Sequence, residues 1–375
     1  LVFTMPLLSD DYFRFIWDGR MWINGLHPFA CLPSTMAADG FPVSGLDEQL
    51  YGKLNSPDYY TVYPPVAQFI FWLSCYVFPE DLGLAVRMMK VVLVLFEAGT
   101  LCLMTSLLSR LSMDPARVLM YALNPLVIIE ISGNLHFEGV MIFFFLLSYW
   151  FILQGRAVAA GVALAASVAS KLLSLLALPL FILKASVMTR QKMLYAFTLA
   201  MVMGFSMLFS PAILAHFGES LQLYFQRFEF NASVYNLVKG LGWLLSGYNL
   251  IVITGPMLGV LAVFIMYRII RTYAGMPLSE LPEAVMLMIS VYYLLSTTVH
   301  PWYLCFPLAL AVFSRYRFVL WWSATVVISY HRYANPALEE NYWLTALSYI
   351  PILGLLMHEL LIPMFKKDRT TVGKV

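Results

Sequence analysis

The stretch "LLSDDYFRFIWDGR" (7–20) gathers Asp10, Asp11, Arg14, Trp17 and Asp18 within three helical turns of a 375-residue chain that is otherwise largely apolar. Asp11, Arg14 and Asp18 fall at i, i+3 and i+7 and share one helix face; Asp10 lies one turn before Arg14, and Trp17 about two turns after Asp10. A carboxylate so placed can take a proton from an incoming hydroxyl, a guanidinium can hold an anionic oxygen, and an indole can stack on a sugar ring. The competing reading is a solvated cap whose ion pairs contribute only tenths of a kcal/mol.

Other segments carry similar chemistry in apolar surroundings. "NPLVIIEISGNLHFEGV" (124–140) sets Glu130, Asn134, His136 and Glu138 where one apolar run ends and the next begins. That is more polarity than helix ends require. Lys171 stands in the otherwise uncharged stretch "ASVASKLLSLLALP" (166–179), where an intramembrane cation costs about 2.5–3.5 kcal/mol on insertion scales and marks a functional site unless it snorkels. "TTVHPWYLCFP" (297–307) begins a helix with His300, Trp302 and Tyr303 around a first-turn Pro301. Tyr63 beside Pro64 and Pro65, Tyr224, Arg227, His331 and Arg332 are further candidates on the same side.

One substrate type suits the whole set. A lipid-linked sugar phosphate has an apolar tail for a groove between helices and an anionic head for Lys171, Arg14 and His300. Its sugar, or the acceptor, would meet Trp17, Asp18, Tyr63, Asn134, His136, Glu138, Trp302 and Tyr303. The inventory needs neither metal nor nucleotide, and no cofactor is expected beyond the donor itself.

The elements that must position these groups are membrane helices. The chain is 61% hydrophobic and 12% charged with a mean hydropathy of +0.77, which fits an all-α polytopic membrane protein. A net charge of +2, with basic residues in short clusters between apolar runs, argues against nucleic acid as a partner. Cys31, Cys75, Cys102 and Cys305 lack the spacing of a disulfide framework or metal site. Spanning segments are expected near 83–108, 117–131, 136–153, 155–170, 172–187, 193–213, 249–270, 282–298, 301–314, 318–330 and 343–363, about eleven in all. "LVFTMPLL" (1–8) is read as the end of a truncated first helix.

Lysine and arginine in short loops orient the bundle. Arg110 and Arg117, Arg156, Lys184 with Arg190 and Lys192, Arg268 and Arg271, Arg315 and Arg317, and the tail 366–375 all fall on one side, taken as cytoplasmic. The opposite face receives residues 1–82, the 131–138 connection, the 214–248 loop and His300. That parity requires the apolar stretch 63–78 to be a re-entrant or interface helix. It also divides the chain into 1–82 with the catalytic loop, the helix bundle 83–365 and the basic tail 366–375. Within the first part, 9–24 reads as a short amphipathic helix with Ser9 as N-cap.

The order "SDDYFRFIWDG", "GLHPF", "YPP", "NPLVIIEISGNLHFEG", the lysine of "ASKLLSLLALP" and "HPWYL" resembles the GT-C superfamily of integral-membrane glycosyltransferases that use polyprenyl-phosphate sugars, most of all its bacterial mannosyltransferase-type members. The resemblance runs from residue 7 to about 305. It implies a GT-C-type bundle with interface helices in the first outer loop and an acidic base in that loop, which maps onto Asp10 or Asp11, with Asp11 favoured. It further implies inverting transfer of a hexose, mannose favoured, from a polyprenyl-phosphate donor to a glycan or glycolipid acceptor at the non-cytoplasmic face, in bacteria the periplasmic side of the inner membrane. Two departures bear on substrate detail: position 15 is Phe where Tyr is usual, and position 27 is His where Asn precedes the proline. The alternative is a secondary transporter or lipid flippase using Lys171, Glu97 and Glu130, although no internal repeat supports it.

Overall fold

Few segments of this sequence alternate polar and apolar residues, and the described residues form helices joined by turns, with one isolated bridge between Phe230 and Thr298. The computed structural model describes residues 1–226, 228–334 and 339–372, with backbone alone at 221, 223–226 and 361–372. Arg227, named above as a candidate, lies outside the described residues, as do 335–338 and 373–375. The chain divides into two compact units, Leu1–Gln226 and Arg227–Val375.

In the first unit, α1 (Asp11–Ile23) packs along α2 (Pro65–Val77), and α2 lies beside α3 (Leu82–Arg110). Next, α4 (Glu138–Leu153) packs on α3 and on α5 (Ala157–Ser170), which in turn packs on α6 (Val187–Gly204). The unit closes with α7 (Pro211–Gln226). In the second, α8 (Val234–Ser246) and α9 (Ile251–Tyr273) pack together, and α10 (Leu281–Leu295) is buried along nearly its whole length between α9 and α11 (Cys305–Ala311). There α12 (Phe318–Thr325) packs on α13 (Tyr342–Val372).

Among the described residues, four helices are long and apolar enough to cross a membrane: Leu82–Arg110, Ile251–Tyr273, Leu278–Leu295 and Tyr342–Leu360. A bent pair, Pro115–Ala122 with Pro125–Gly133, would make a fifth. The eleven expected segments are thus not eleven continuous spans. Several are shorter helices, Glu138–Leu153, Ala157–Ser170, Leu172–Lys184 and Pro301–Ala311; Pro65–Val77, in the stretch expected to be a re-entrant or interface helix, is short as well. At 1.5 Å per residue, 13 residues reach about 20 Å, less than the ~30 Å hydrocarbon layer.

The breaks have local causes. The expected 117–131 span bends by 55° where Pro125 removes a backbone donor and forces Asn124 out of the helical region. Asn124 then caps the new start, accepting from the Leu126 amide at 3.0 Å, and the segment continues as a π-helix over Ile128–Gly133. The expected helix 9–24 begins at Asp11, with Asp10 rather than Ser9 at the N-cap position. Ser9 Oγ sits one residue further out and accepts the Asp11 amide at 3.3 Å.

A close approach in the first unit is at Gly19, where a Cβ would stand 2.6 Å from both Cys75 Sγ and the Phe71 carbonyl oxygen. The α1–α2 interface therefore requires glycine there. Gly19→Ala is expected to destabilise the protein by about 1–3 kcal/mol through overpacking, read as a lowered Tm in detergent.

Candidate functional site

Ten of the 13 residues of α1 are buried, among them three charged ones, Arg14, Asp18 and Arg20. Asp18 has no exposed surface, so both of its oxygens must be satisfied from within. Oδ1 accepts from Arg14 Nε at 2.8 Å; Oδ2 accepts from Thr61 Oγ1 at 2.5 Å and Gln68 Nε2 at 2.8 Å. Gln68 closes the network by accepting from Trp22 Nε1 at 2.9 Å. Arg14 Nη1 donates to the Ser56 and Tyr59 carbonyls at 3.2 and 2.9 Å, and Arg20 to those of Gly45 and Glu80 at 2.6 and 3.3 Å. These bonds fasten the 44–61 segment and α2 to α1. Asp18 and Trp17, read above as sugar or acceptor contacts, are both closed to solvent; Trp17 packs near Tyr51 with ring centroids 6.3 Å apart.

The two aspartates at the start of the helix are different. Asp10 is exposed and Asp11 half-buried, with Asn55 Nδ2 donating to Asp11 Oδ1 at 2.9 Å. The helix N-terminus favours both negative charges. Burial, and then the charge of Asp10, push the Tyr12 phenol above its ordinary value.

Two contacts bring the 130–138 connection to α1. Leu8 donates its amide to Asn134 Oδ1 at 3.3 Å, and the Phe137 ring meets Phe15 edge-on at 5.5 Å. Phe15 is also stacked on Phe71 at 4.6 Å and edge-on to Tyr63 at 4.9 Å, which brings Tyr63 into the same aromatic cluster. Asn134 Nδ2 donates to Glu130 Oε2 at 3.1 Å, and His136 Nε2 lies 3.4 Å from the same oxygen. Glu138 opens α4 and is buried in an ion pair with Lys171. Lys171 occupies the break after α5, where its backbone is extended between Ser170 and a 3-10 turn over Leu172–Ala177. In the first unit Asp10 and Asp11 thus lie at the open end of α1, Arg14, Asn134, His136 and Glu138 are buried, and Lys171 pairs with Glu138.

The histidine at position 27 also has a structural place. Its Nε2 lies 3.0 Å from the Met207 carbonyl, and Trp22 packs edge-on at 4.8 Å. Nearby, His216 Nδ1 lies 2.9 Å from the Phe29 carbonyl, its ring stacks on Tyr60 at 3.9 Å, and Ser220 donates to the Tyr60 carbonyl at 2.9 Å. Helix α7 therefore grips the loop.

His300, Trp302 and Tyr303 belong to the second unit. The His300 ring is stacked on Trp302 at 4.4 Å and on Phe230 at 4.6 Å, with Tyr303 edge-on at 5.3 Å. Arg332 donates to the Glu229 carbonyl and lies over Phe230, while His331 bridges the Ile328 carbonyl and the Asn341 amide. Glu229 itself holds Lys239, Tyr235 and Asn249. Burial alone would raise its carboxyl, but these hydrogen bonds outweigh burial and keep it below the ordinary range. Sequence reasoning missed Glu229 and Lys239, and also Lys90. A fully buried lysine within an apolar helix, Lys90 donates to the Leu1 and Thr4 carbonyls at 3.1 and 2.7 Å and so ties down the segment leading to Asp10. Its charge inside an apolar run was the available signal. Among the described residues no group of three or more His, Cys, Asp or Glu side chains is arranged to hold a metal ion.

Residues 1–187 match the model of a family described as alpha-(1->6)-mannopyranosyltransferase, N-terminal domain. That span includes every candidate of the first unit from Asp10 to Lys171. No curated protein matches the chain. A transferase family displaces the transporter alternative.

Asp18→Ala would strand the Arg14 charge in a buried setting and is expected to cost about 3–5 kcal/mol in thermal stability, more than Asp10→Ala at the exposed helix start. Burial lowers the His27 imidazole below its ordinary value, outweighing the opposing hydrogen bond to Met207. The unfolded chain then takes up this proton more readily than the folded one. The stabilising contribution is complete above about pH 6.5 and is lost as pH falls toward the lower folded-state value. A Tm measured from pH ~7.5 down to ~5.5 should fall, and His27→Gln should remove part of that fall.

Proposed function

The chain belongs to this family of alpha-mannosyltransferases, and from that premise we propose that it transfers mannose from a polyprenyl-phosphate donor to a glycan or lipid-linked acceptor by direct, inverting displacement. An α-linked product formed with inversion requires a β-linked donor. The observation that carries the reading is the contrast along α1: Arg14 and Asp18 are locked inside, while Asp10 and Asp11 stand at its open end. A rigid scaffold with accessible carboxylates is what a general base needs.

In this reading Asp11, or Asp10, takes the proton of the acceptor hydroxyl as its oxygen attacks the anomeric carbon. The bond from that carbon to the phosphate oxygen breaks, and polyprenyl phosphate leaves with the electron pair. Lys171 holds the departing phosphate; charge stabilisation of this kind is usually the largest single effect in such transfers. Arg14, expected from the sequence to share that role, is buried and committed to Asp18 and to the Ser56 and Tyr59 carbonyls, so it supports α1 instead. The Glu138 ion pair keeps the Lys171 cation compensated until the donor arrives. His136, Asn134 and Tyr63 line the sugar or acceptor side. Asp18 is a positioning residue that acts through Arg14. The site faces the non-cytoplasmic side, with residues 1–82 forming the catalytic loop on that side and the basic residues 366–375 in the cytoplasm.

The test measures mannose transfer from a polyprenyl-phosphate donor by reconstituted wild-type protein, Asp10→Asn, Asp11→Asn and the double variant. A loss of about 10²–10⁴-fold in kcat is expected for the residue acting as base, and at least as much for the double variant. Full activity in the double variant would sink the mechanism. The anomeric configuration of the product, read by NMR from a β-linked donor, separates inversion from retention.

A further inference from the structure

Helix α9 carries a feature that the transferase chemistry does not use. Its 23 residues span about 34 Å at 1.5 Å each, enough to cross the hydrocarbon layer. Val252, Ile253, Met257, Val260, Val263 and Phe264 are exposed along it, a surface suited to acyl chains rather than water. The last two turns then change character. Tyr267, Arg268, Arg271 and Thr272 line a shallow, open surface cleft of about 410 Å³ on this one helix face.

Both arginines are exposed, and among the described residues neither guanidinium has an ion-pair or hydrogen-bond partner. Glu283 on the neighbouring α10 is committed elsewhere: it accepts from Tyr273 Oη at 2.9 Å, Ser314 Oγ at 2.9 Å and the Arg315 amide at 3.2 Å. Thr272 turns its hydroxyl proton back to the Arg268 carbonyl at 2.9 Å, so the donors facing the cleft are guanidinium groups. Arginines three apart lie on one helix face, about 5–6 Å between their Cβ atoms, within reach of the two free oxygens of one phosphodiester. Tyr267, 52% exposed, sits at the junction of apolar stripe and cleft, where an amphipathic ring marks the level of lipid headgroups.

We infer that the Tyr267–Arg268–Arg271–Thr272 cleft binds the phosphodiester headgroup of an anionic membrane lipid, whose acyl chains lie along the exposed face of α9. Charge complementarity selects the phosphate, and the adjoining apolar stripe selects a lipid over a soluble anion. A zwitterionic lipid presents the same phosphate with a compensating cation and is held less well.

The test uses the full chain in nanodiscs of phosphatidylcholine with phosphatidylglycerol, followed by gentle delipidation and native mass spectrometry of retained lipid. Wild type should keep phosphatidylglycerol in preference to phosphatidylcholine, and Arg268→Gln with Arg271→Gln should lower that preference about tenfold. Arg156→Gln with Lys192→Gln, which removes the same charge from other exposed positions, should leave it unchanged. Inorganic phosphate should not displace the retained lipid. Equal preference in the Arg268/Arg271 variant and wild type, or an equal loss in the Arg156/Lys192 control, overturns the assignment; displacement by phosphate alone would mean a soluble-anion site and overturns it also.

Discussion

The first unit depends on a charge that has no access to water. Asp18 is buried on α1, and an unpaired carboxylate there would carry a large desolvation penalty. Its partners come from three parts of the chain: Arg14 on the same helix, Thr61 from the preceding loop and Gln68 from α2. None of them can move without uncovering the charge. The loop is therefore held in one register, and Arg14 is oriented by Asp18 on one side and two carbonyls on the other. Rigid support of this kind lets the exposed end of α1 present its aspartates in a fixed geometry.

A second constraint is the membrane itself. Inside lipid a backbone break leaves donors and acceptors that must be met by protein groups. Polar side chains follow both breaks: Glu130, Asn134 and His136 after Asn124–Pro125, and Lys171, partly exposed, paired with the buried Glu138 at the second. Lys171 illustrates the link between fold and function. The end of α5 frees its backbone, its side chain reaches Glu138 at the start of α4, and the cation stands at a junction instead of mid-helix.

The two departures from the expected family pattern have physical explanations. Phe15 lies 1% exposed, stacked on Phe71 and edge-on to Tyr63 and Phe137, so a phenolic oxygen in its place would need a buried partner. His27 reaches the Met207 carbonyl with one ring nitrogen while its ring packs against Trp22. Both positions serve packing in this chain, and the chemistry is left to the residues around them.

Membrane class, helical architecture and the α1 segment were legible from composition and spacing, because apolar runs and i, i+4 charge pairs are local signals. The motif order also pointed to a mannosyltransferase, which the family match establishes. Spans were less legible: hydropathy cannot see a 55° bend at a proline, or distinguish one continuous helix from a 3-10 turn followed by a short one. Nor could spacing separate Asp18 from Asp11. Both lie on the Arg14 face, and only the arrival of Thr61 and Gln68 from distant sequence buries one and leaves the other accessible. The sequence alone determined which charges the chain carries into its apolar surroundings; tertiary contacts decided which are consumed in holding the fold and which stay accessible, since burial depends on chain segments far apart in sequence.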